Sequence, residues 1–507
     1  MTAAALAQFV WIVVLLPLLA ALATALRMLA GRDAGDQAER PTAGWAIGAA
    51  AGGLVFLLAL GAAAFLDGLP GQVRAGTWLE SGAFIVALSF SLDRASLPLA
   101  TLVAFIAWVT LRFSASYLHR EPGFHRFFLA MNLFVAGMLL IILAGNAVLT
   151  FVGWELAGVS SYLLIGYAYD RQTATRNALF AFVTNRVGDA GFVLGIALAA
   201  LWLGTTEWSE LGAGGTLDPV TARMLLLGFL VAALAKSAQL PFSPWISRAL
   251  EGPTPSSAIF YGAVMVHAGV FLVIRLEPVL EQVPDVMAYV AAAGLLTALY
   301  GHVTGLVQTD VKSALVCATI TQVGLMFLEC GVGLFDVAAW HLGLHAAWRA
   351  YQFLMAPSTL HLVASPAAPA PAWLANHRWL YTAALHRFWI EPIAHGLFTR
   401  PTQALGRDMR ALDDHVLNRL VGAPSEEHGG GLRDSEVIRG YGLAGRLLVR
   451  AADQLHRFEM RLVMRSGDSA TTRVLRRIGD AFLVIEALLE QPRYLLLLAM
   501  VTFVVIL

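Results

Sequence analysis

The residues able to do chemistry in this chain are ionisable side chains set inside apolar runs. Lys236 follows about a dozen apolar residues, too deep for an easy approach to the headgroups. It is followed at once by Pro241 and Pro244 in LPFSP. Proline lacks an N–H and clashes with the preceding turn, so the spacing predicts a helix broken between Lys236 and Pro244. Broken backbone at membrane depth is tolerated where it is buried in protein or lines a water-filled cavity. An ammonium beside such a break is costly in hydrocarbon and marks an ion or proton path. The plainer alternative is a lysine snorkelling to the headgroups. Glu155 lies in FVGWELAGVSSYLLIGY, away from the polar loops. A lone buried carboxylate would be protonated or paired, and Lys236 is the expected partner. Separating such a pair would release the lysine proton, which makes it a two-state element whose proton affinity depends on geometry. A structural helix–helix hydrogen bond is the competing use of Glu155.

His341, His345 and Arg349 follow at i, i+4 and i+8 in WHLGLHAAWRA, a spacing that stacks all three on one helix face. Two histidines at i, i+4 could hold a metal, but no third ligand is evident and Arg349 would repel a cation. A proton relay fits better, because histidine titrates near neutral pH. His267 and His302 lie in neighbouring apolar runs and could extend it, although a single histidine in a bundle is more often a packing residue. Arg186 and Asp189 read as a local ion pair, Asp93 and Arg94 as a span boundary, and Lys312 as an anchor at a membrane face.

The elements that must position these residues are helices in a bilayer. The chain has 507 residues, 58% hydrophobic and 13% charged, with mean hydropathy +0.69; soluble domains carry about 25% charged residues. The reading is an all-α polytopic membrane protein with about 12 transmembrane helices. Expected spans are 8–29, 45–67, 93–113, 127–145, 147–168, 177–203, 223–247, 254–275, 286–307, 311–331 and 336–356, each near the length a bilayer needs. The final run, Tyr494 to Leu507, is short and would need help from Phe482 to Leu489 or local thinning. Phe9 to Leu29 lacks a basic leader and is too long for a signal-peptide core, so it is expected to stay as a helix. Partial alternation from Phe84 to Leu92 suggests a short surface strand or hairpin. Basic loops carry Arg32, Arg40, Arg112, Arg120, Arg126, Arg171, Arg176, Arg248 and Lys312, and fall on one face if the N-terminus is periplasmic.

After Ser365 the character changes. ASPAAPAPAW is a Pro/Ala linker. Arg378 to Leu420 reads as amphipathic helix lying along the surface or against other helices, SEEHGGGLR as a hinge, and Arg433 to Arg477 as basic amphipathic helix. This region is either a solvated face with snorkelling arginines or a docking platform for a soluble partner. The resulting divisions are 1–92 (N-terminal helices and hairpin), 93–360 (translocating domain), 361–492 (linker and surface helices) and 493–507 (last apolar segment). Charge balances at 34 and 34, which gives no indication of a nucleic-acid partner. Only Cys317 and Cys330 are present, with no nucleotide motif, so no cofactor is expected in this chain.

MNLFVAG (131–137), GWELAGVSSYLLIGY (153–167), NRVGD (185–189), KSAQLPFSPWISRALEGPTPSSA (236–258), QTDVKSALVCATITQVGLMF (308–327) and HLGLHAAWRA (341–350) resemble the antiporter-like, proton-translocating subunits of respiratory complex I. The likeness is nearest to the large distal subunit, with the Mrp antiporter subunit as a relative. FWIEPIAHGLFTRP (388–401) is similar to the start of that subunit's surface-lying helix. The resemblance implies antiporter-like inverted repeats, an essential Glu155–Lys236 pair, a first half-channel at the broken helix, and a central relay at His341, His345 and Arg349. Two departures stand out. Arg349 occupies a position where the family usually has lysine, and arginine does not give up its proton. A second broken helix with its own lysine is missing where ASPAAPAPAW begins, which implies a shortened second repeat. This combination resembles the DAB inorganic-carbon-accumulating family, in which a complex I-like membrane subunit (DabB) binds a soluble zinc subunit resembling a β-type carbonic anhydrase (DabA). That resemblance implies that an ion gradient, of protons in this reading, drives CO2 hydration to bicarbonate by the zinc partner on the cytoplasmic side of a bacterial inner membrane. Catalysis and zinc would then belong to the partner. The alternatives are a proton-pumping subunit of an NADH–quinone oxidoreductase, an Mrp-type sodium/proton antiporter, and, from another class, a membrane scaffold that only anchors a soluble enzyme.

Overall fold

The computed structural model describes residues 2–81, 84–211, 217–263, 265–356 and 369–412. Among these, nine helices are long and apolar enough to cross a membrane. In chain order they are α1 (Ala3–Leu29), α2 (Asp36–Asp67), α3 (Ser96–Tyr117), α4 (Phe124–Leu143), α5 (Ala147–Ile165), α6 (Gln172–Leu203), α7 (Pro219–Lys236), α11 (Pro284–Gly305) and α12 (Val311–Gly331). The short helices between α7 and α11 include α8 (Pro244–Arg248), α9 (Thr254–Gly262) and α10 (Ala268–Arg275). The helix α13 (Phe335–Met355) is as long as the spans but carries the polar face of His341, His345 and Arg349. With α13 and the divided α9–α10 crossing, all eleven spans expected between residues 8 and 356 are accounted for. The expected final run at Tyr494–Leu507 lies outside the described residues, as do the hinge and the basic segment after Arg433.

Helices are the form these runs take because hydrocarbon offers backbone groups no partner outside the segment. Their ends are set by short polar caps. Asn146 accepts from the Leu149 N–H at 2.8 Å to open α5, and Asp310 accepts from the Ser313 N–H at 2.8 Å to open α12. Asp218 caps α7 with Pro219 at its first position. The helix α4 is central, with 83% of its apolar window buried, whereas α2 and α11 lie at the outside of the bundle. Close pairs run α4 along α5, α6 along α7 and α11 along α12.

One expectation is corrected. Residues 254–275 do not form one helix. The chain leaves helical geometry at Ala263 (ψ −144°) and resumes at Ala268, so this crossing is broken as well as the one at Lys236. The strand expected at Phe84–Leu92 is β2, and its antiparallel partner β1 (Gly71–Ser81) completes a hairpin. The hairpin lies over one face of the bundle. Gln72 Nε2 and Ser89 Oγ both donate to the buried Glu207 carboxylate, Ser89 at 2.6 Å, and Asn146 Nδ2 donates to the same group at 3.1 Å. Arg275 at the end of α10 pairs with Asp93, just after the hairpin. On the opposite face Arg120 pairs with Asp36 at 2.7 Å.

The chain forms two compact units, residues 1–399 and a second that begins at Arg400. In the first unit the surface segment after the linker holds α14 (Arg378–Leu385) and α15 (Ile390–Ala394). The second unit is described over α16 (Arg400–Leu412), a strongly amphipathic helix, as expected for this stretch.

Burial raises the Asp93 carboxyl's proton affinity, but the Arg275 charge, its hydrogen bond and the Ser96 and Ala95 N–H groups outweigh it, so the pKa is lowered. A depressed carboxylate contributes stability above its unfolded value and loses it as pH falls through the folded one. Asp93→Asn should therefore lower the stability of the solubilised chain at pH 7 by on the order of 1 kcal/mol or less, the pair being partly exposed. In thermal unfolding the gap between variant and wild type should close only below about pH 4, the ordinary carboxyl range.

Candidate ion-translocation site

The break after α7 sits where four helices meet. The helix α7 can lie against α6 because Gly228 has no side chain: a Cβ there would come 2.7 Å from the Gly191 carbonyl oxygen. This approach sets the α6 residues Arg186 and Asp189 beside Lys236, which is 1% exposed. Lys236 Nζ donates to the Trp154 carbonyl oxygen at 3.1 Å and stands 5.0 Å from the centre of the Trp154 ring. Trp154 Nε1 donates to Asp189 Oδ1 at 2.7 Å. Arg186 joins both acids, through Nη1 to Glu155 and through Nη2 to Asp189 Oδ2 at 2.7 Å. Gly158 leaves the room for this: a Cβ there would meet Arg186 Nη2 at 2.8 Å and Lys236 Nζ at 3.5 Å.

The direct partner of Glu155 is therefore Arg186, where the sequence reading put Lys236. The physical reason is reach. The guanidinium on the next helix spans two carboxylates at once, and the lysine is held by a carbonyl and an aromatic face instead. Arg186 and Asp189 are the ion pair expected from NRVGD, but they belong to a larger buried set with Glu155 and Lys236. Two acids and two bases balance it.

Both breaks account for their freed backbone. Trp245 Nε1 donates to the Ala235 carbonyl at 2.9 Å, and the Leu240 N–H donates to Thr297 Oγ1 at 3.0 Å. Pro241 follows a cis bond in the gap, and Pro244 opens α8. Ser237 Oγ and Gln239 Oε1 are buried without a protein partner among the described residues. Such atoms are ordinarily satisfied by water. Phe398 of the surface segment stacks on Phe242 in the gap at 4.6 Å, and Glu391 pairs with Arg248 of α8.

The second break carries His267. Its Nδ1 faces the Ala263 carbonyl oxygen, and its Nε2 lies 2.8 Å from His345 Nδ1. Arg349 donates to His345 Nε2 at 3.3 and 3.2 Å. Donor and acceptor roles are then fixed along the chain. Arginine only donates, so His345 Nε2 accepts and its Nδ1 carries hydrogen; His267 Nε2 accepts in turn and its Nδ1 donates to the carbonyl. The result is a polarised wire of two neutral imidazoles. His341 stands one turn earlier on α13, its ring 6.4 Å from that of His345 and perpendicular to it. His341 binds Glu329 and Gln322 of α12. His302 is exposed on α11, and among the described residues nothing joins it to His267. Glu329, Gln322, Trp154 and Gly158 were not singled out from the sequence. Glu329 and His341 are only 12 residues apart on consecutive helices, a cue that a hairpin reading could have used.

An antiporter-like membrane subunit is the class this fold and site define. Residues 144–367 match the family profile described as NADH:quinone oxidoreductase/Mrp antiporter, TM, and residues 78–128 match NADH-Ubiquinone oxidoreductase (complex I), chain 5 N-terminus. Residues 78–367 thus place the chain with the complex I subunit 5/L and Mrp antiporter-like membrane family. The chain is 34% identical over 365 residues to NAD(P)H-quinone oxidoreductase chain 5 of Synechocystis, covering 70% of this chain and 53% of that one. It is 36% identical over 369 residues to NADH-quinone oxidoreductase subunit L of Mycobacterium tuberculosis, covering 70% and 56%. It spans about half the length of these curated relatives. Among solved structures, the Mrp complex from Dietzia aligns with TM-score 0.60 at 22% identity over 98% of this chain and 62% of that one. A chain of the archaeal membrane-bound sulfane sulfur reductase aligns with TM-score 0.61 at 17% identity over 90% and 95%. These two likenesses are of fold.

Charge balance in the Glu155 set is testable. Glu155→Gln leaves two cations against Asp189 alone and should cost about 3 kcal/mol. The double variant Glu155→Gln/Arg186→Gln keeps one acid and one base and should cost less than the single. Thermal unfolding in detergent compares them, and a double variant less stable than Glu155→Gln would show that the four charges do not act together.

Proposed function

We propose that this chain is an ion-translocating, energy-coupling membrane subunit, with protons as the ion. The observation that carries the reading is the buried set of Glu155, Arg186, Asp189 and Lys236 at a broken helix. Charges so placed are costly unless they are used, and they mark ion paths. Arg186 can shift between Glu155 and Asp189, and each shift alters the field at Lys236. Lys236 exchanges protons with water at the α7 break, where unpartnered polar side chains are buried, and with the His345–His267 wire across the second break. The surface segment is in a position to sense this, since Phe398 stacks on Phe242 in the break and Glu391 pairs with Arg248 just beyond it.

Within that class, the finer reading is an inorganic-carbon-accumulating subunit. In it the gradient energises CO2 hydration to bicarbonate by a soluble, zinc-containing, carbonic-anhydrase-like partner on the cytoplasmic side of a bacterial inner membrane. Arg349 supports it, because a residue that keeps its proton suits a modified path rather than a complete antiporter channel. The Arg-rich stretch after Ser365 supplies a surface for a soluble partner. A quinone-oxidoreductase or Mrp subunit is the alternative that the relatives' names favour.

Two measurements decide. Affinity purification of the tagged chain in mild detergent, with mass spectrometry and zinc analysis, should yield one large soluble zinc protein; flavin and iron–sulfur subunits would instead mean a quinone oxidoreductase. Lys236→Ala should lower gradient-dependent activity more than tenfold with assembly intact. A Lys236→Ala complex of full activity would leave only a scaffold.

A further inference from the structure

We propose that Glu329 and His341 together form a proton-holding mouth on the hairpin face of the bundle, which loads the His345–His267 wire; this rests on the translocation reading above.

The placement comes from the chain path. The helix α12 ends at Gly331, and α13 starts at Phe335 on the same face as the end of α10, where Arg275 meets Asp93. Glu329 is in the last turn of α12, and His341 is in the second turn of α13. Burial then deepens along a line. The Glu329 and His341 side chains are 21% and 23% exposed, His345 is 7% exposed and His267 is fully buried.

The hydrogen bonds count the protons. His341 Nδ1 lies 2.9 and 3.1 Å from the two Glu329 oxygens, and its Nε2 lies 2.8 Å from Gln322 Oε1. Every partner of the ring is an oxygen. With Gln322 presenting its amide oxygen and Glu329 ionised, both ring nitrogens donate, and the pair then holds one proton more than a neutral imidazole beside a carboxylate. The wire differs in kind, since each of its imidazoles has one donor and one acceptor side. A proton leaving His341 has His345 as the next ring, at 6.4 Å between centroids. Beyond it stands Arg349, whose fixed charge opposes a proton resting on His345 and favours its onward passage to His267.

The remaining titratable groups around the mouth are mostly acidic. Asp336 opens α13, and Glu277 and Glu281 close the α10 end; burial, Glu281 and Asp336 together raise the Glu277 carboxyl. Cys330 is beside Glu329 on α12 but buried. This acidic surround draws cations toward the mouth. Glu329 lies two residues beyond the QTDVKSALVCATITQVGLMF stretch that carries the resemblance, so it is a feature of this chain rather than of that motif.

The test uses the full chain with its co-purified partners in liposomes. Proton uptake is followed by a trapped pH-sensitive dye under a potassium diffusion potential, across external pH. Glu329→Gln should cut uptake at neutral pH about tenfold, since the ring then loses the carboxylate that accepts from its Nδ1. Glu329→Asp should restore most of it, and His341→Gln should reproduce the loss. Glu329→Gln with wild-type rate and profile, in a preparation where Lys236→Ala abolishes uptake, would overturn the mouth and leave translocation standing. Full uptake by Lys236→Ala would overturn translocation itself, and the mouth with it.

Discussion

Four charges in hydrocarbon constrain everything else in this chain. Lys236, Arg186, Glu155 and Asp189 can be buried only because they cancel and because each finds a hydrogen-bonding partner. Removing two ions from water costs several kcal/mol apiece, and attraction recovers it only with good geometry. That geometry dictates small residues. Gly158 opens space for the guanidinium, and Gly228 lets α7 approach α6 closely enough to bring Lys236 into the set. A larger residue at either position would separate charges that are tolerable only together.

The two broken helices follow from the same demand for satisfied polar groups. Each break frees carbonyls that a continuous helix would have bonded, and each is closed by a side chain from nearby: Trp245 on the Ala235 carbonyl, His267 on the Ala263 carbonyl. Tyr261 reaches across from α9 to the Ile246 carbonyl of α8 at 2.6 Å. The breaks therefore share a wall, and a change in one is felt by the other. At the second break the group doing the closing is itself the end of the histidine wire. Backbone satisfaction and proton handling are one arrangement there.

Much of this was legible in the sequence for plain reasons. A run of apolar residues near bilayer length has one solution, so most spans fell within a few residues of the observed helices, although α2 already begins at Asp36 and α7 ends at Lys236. LPFSP has no helical solution, so the break at Lys236 was visible too. The second break was not. Its residues, AVMVHAG (263–269), hold no proline, and what breaks the helix there is tertiary: His267 turning to His345 and to the Ala263 carbonyl. Choosing Lys236 over Arg186 as the partner of Glu155 failed for a related reason. Sequence gives the inventory of buried charges but not which of two cations on neighbouring helices has the reach. The hairpin was expected, but the range of its first strand, Gly71–Ser81, was not, because its glycines and charges hide a pairing that only β2 supplies.

The two ionisable clusters have different physical characters, and the difference bears on direction. The Glu155 set holds as many acids as bases, so it can rearrange at little electrostatic cost. The histidine wire ends on Arg349, a cation whose only hydrogen-bond partner among the described residues is His345. A proton in the wire is repelled by that charge at one end, whereas at the other a carbonyl accepts from His267. The wire therefore has a built-in polarity that a lysine at position 349 would lack, since a lysine could discharge. Where the resemblance implies lysine, arginine at 349 is a fixed charge rather than a reversible station. In the function proposed above, a path biased in this way would favour coupling in one direction over free exchange.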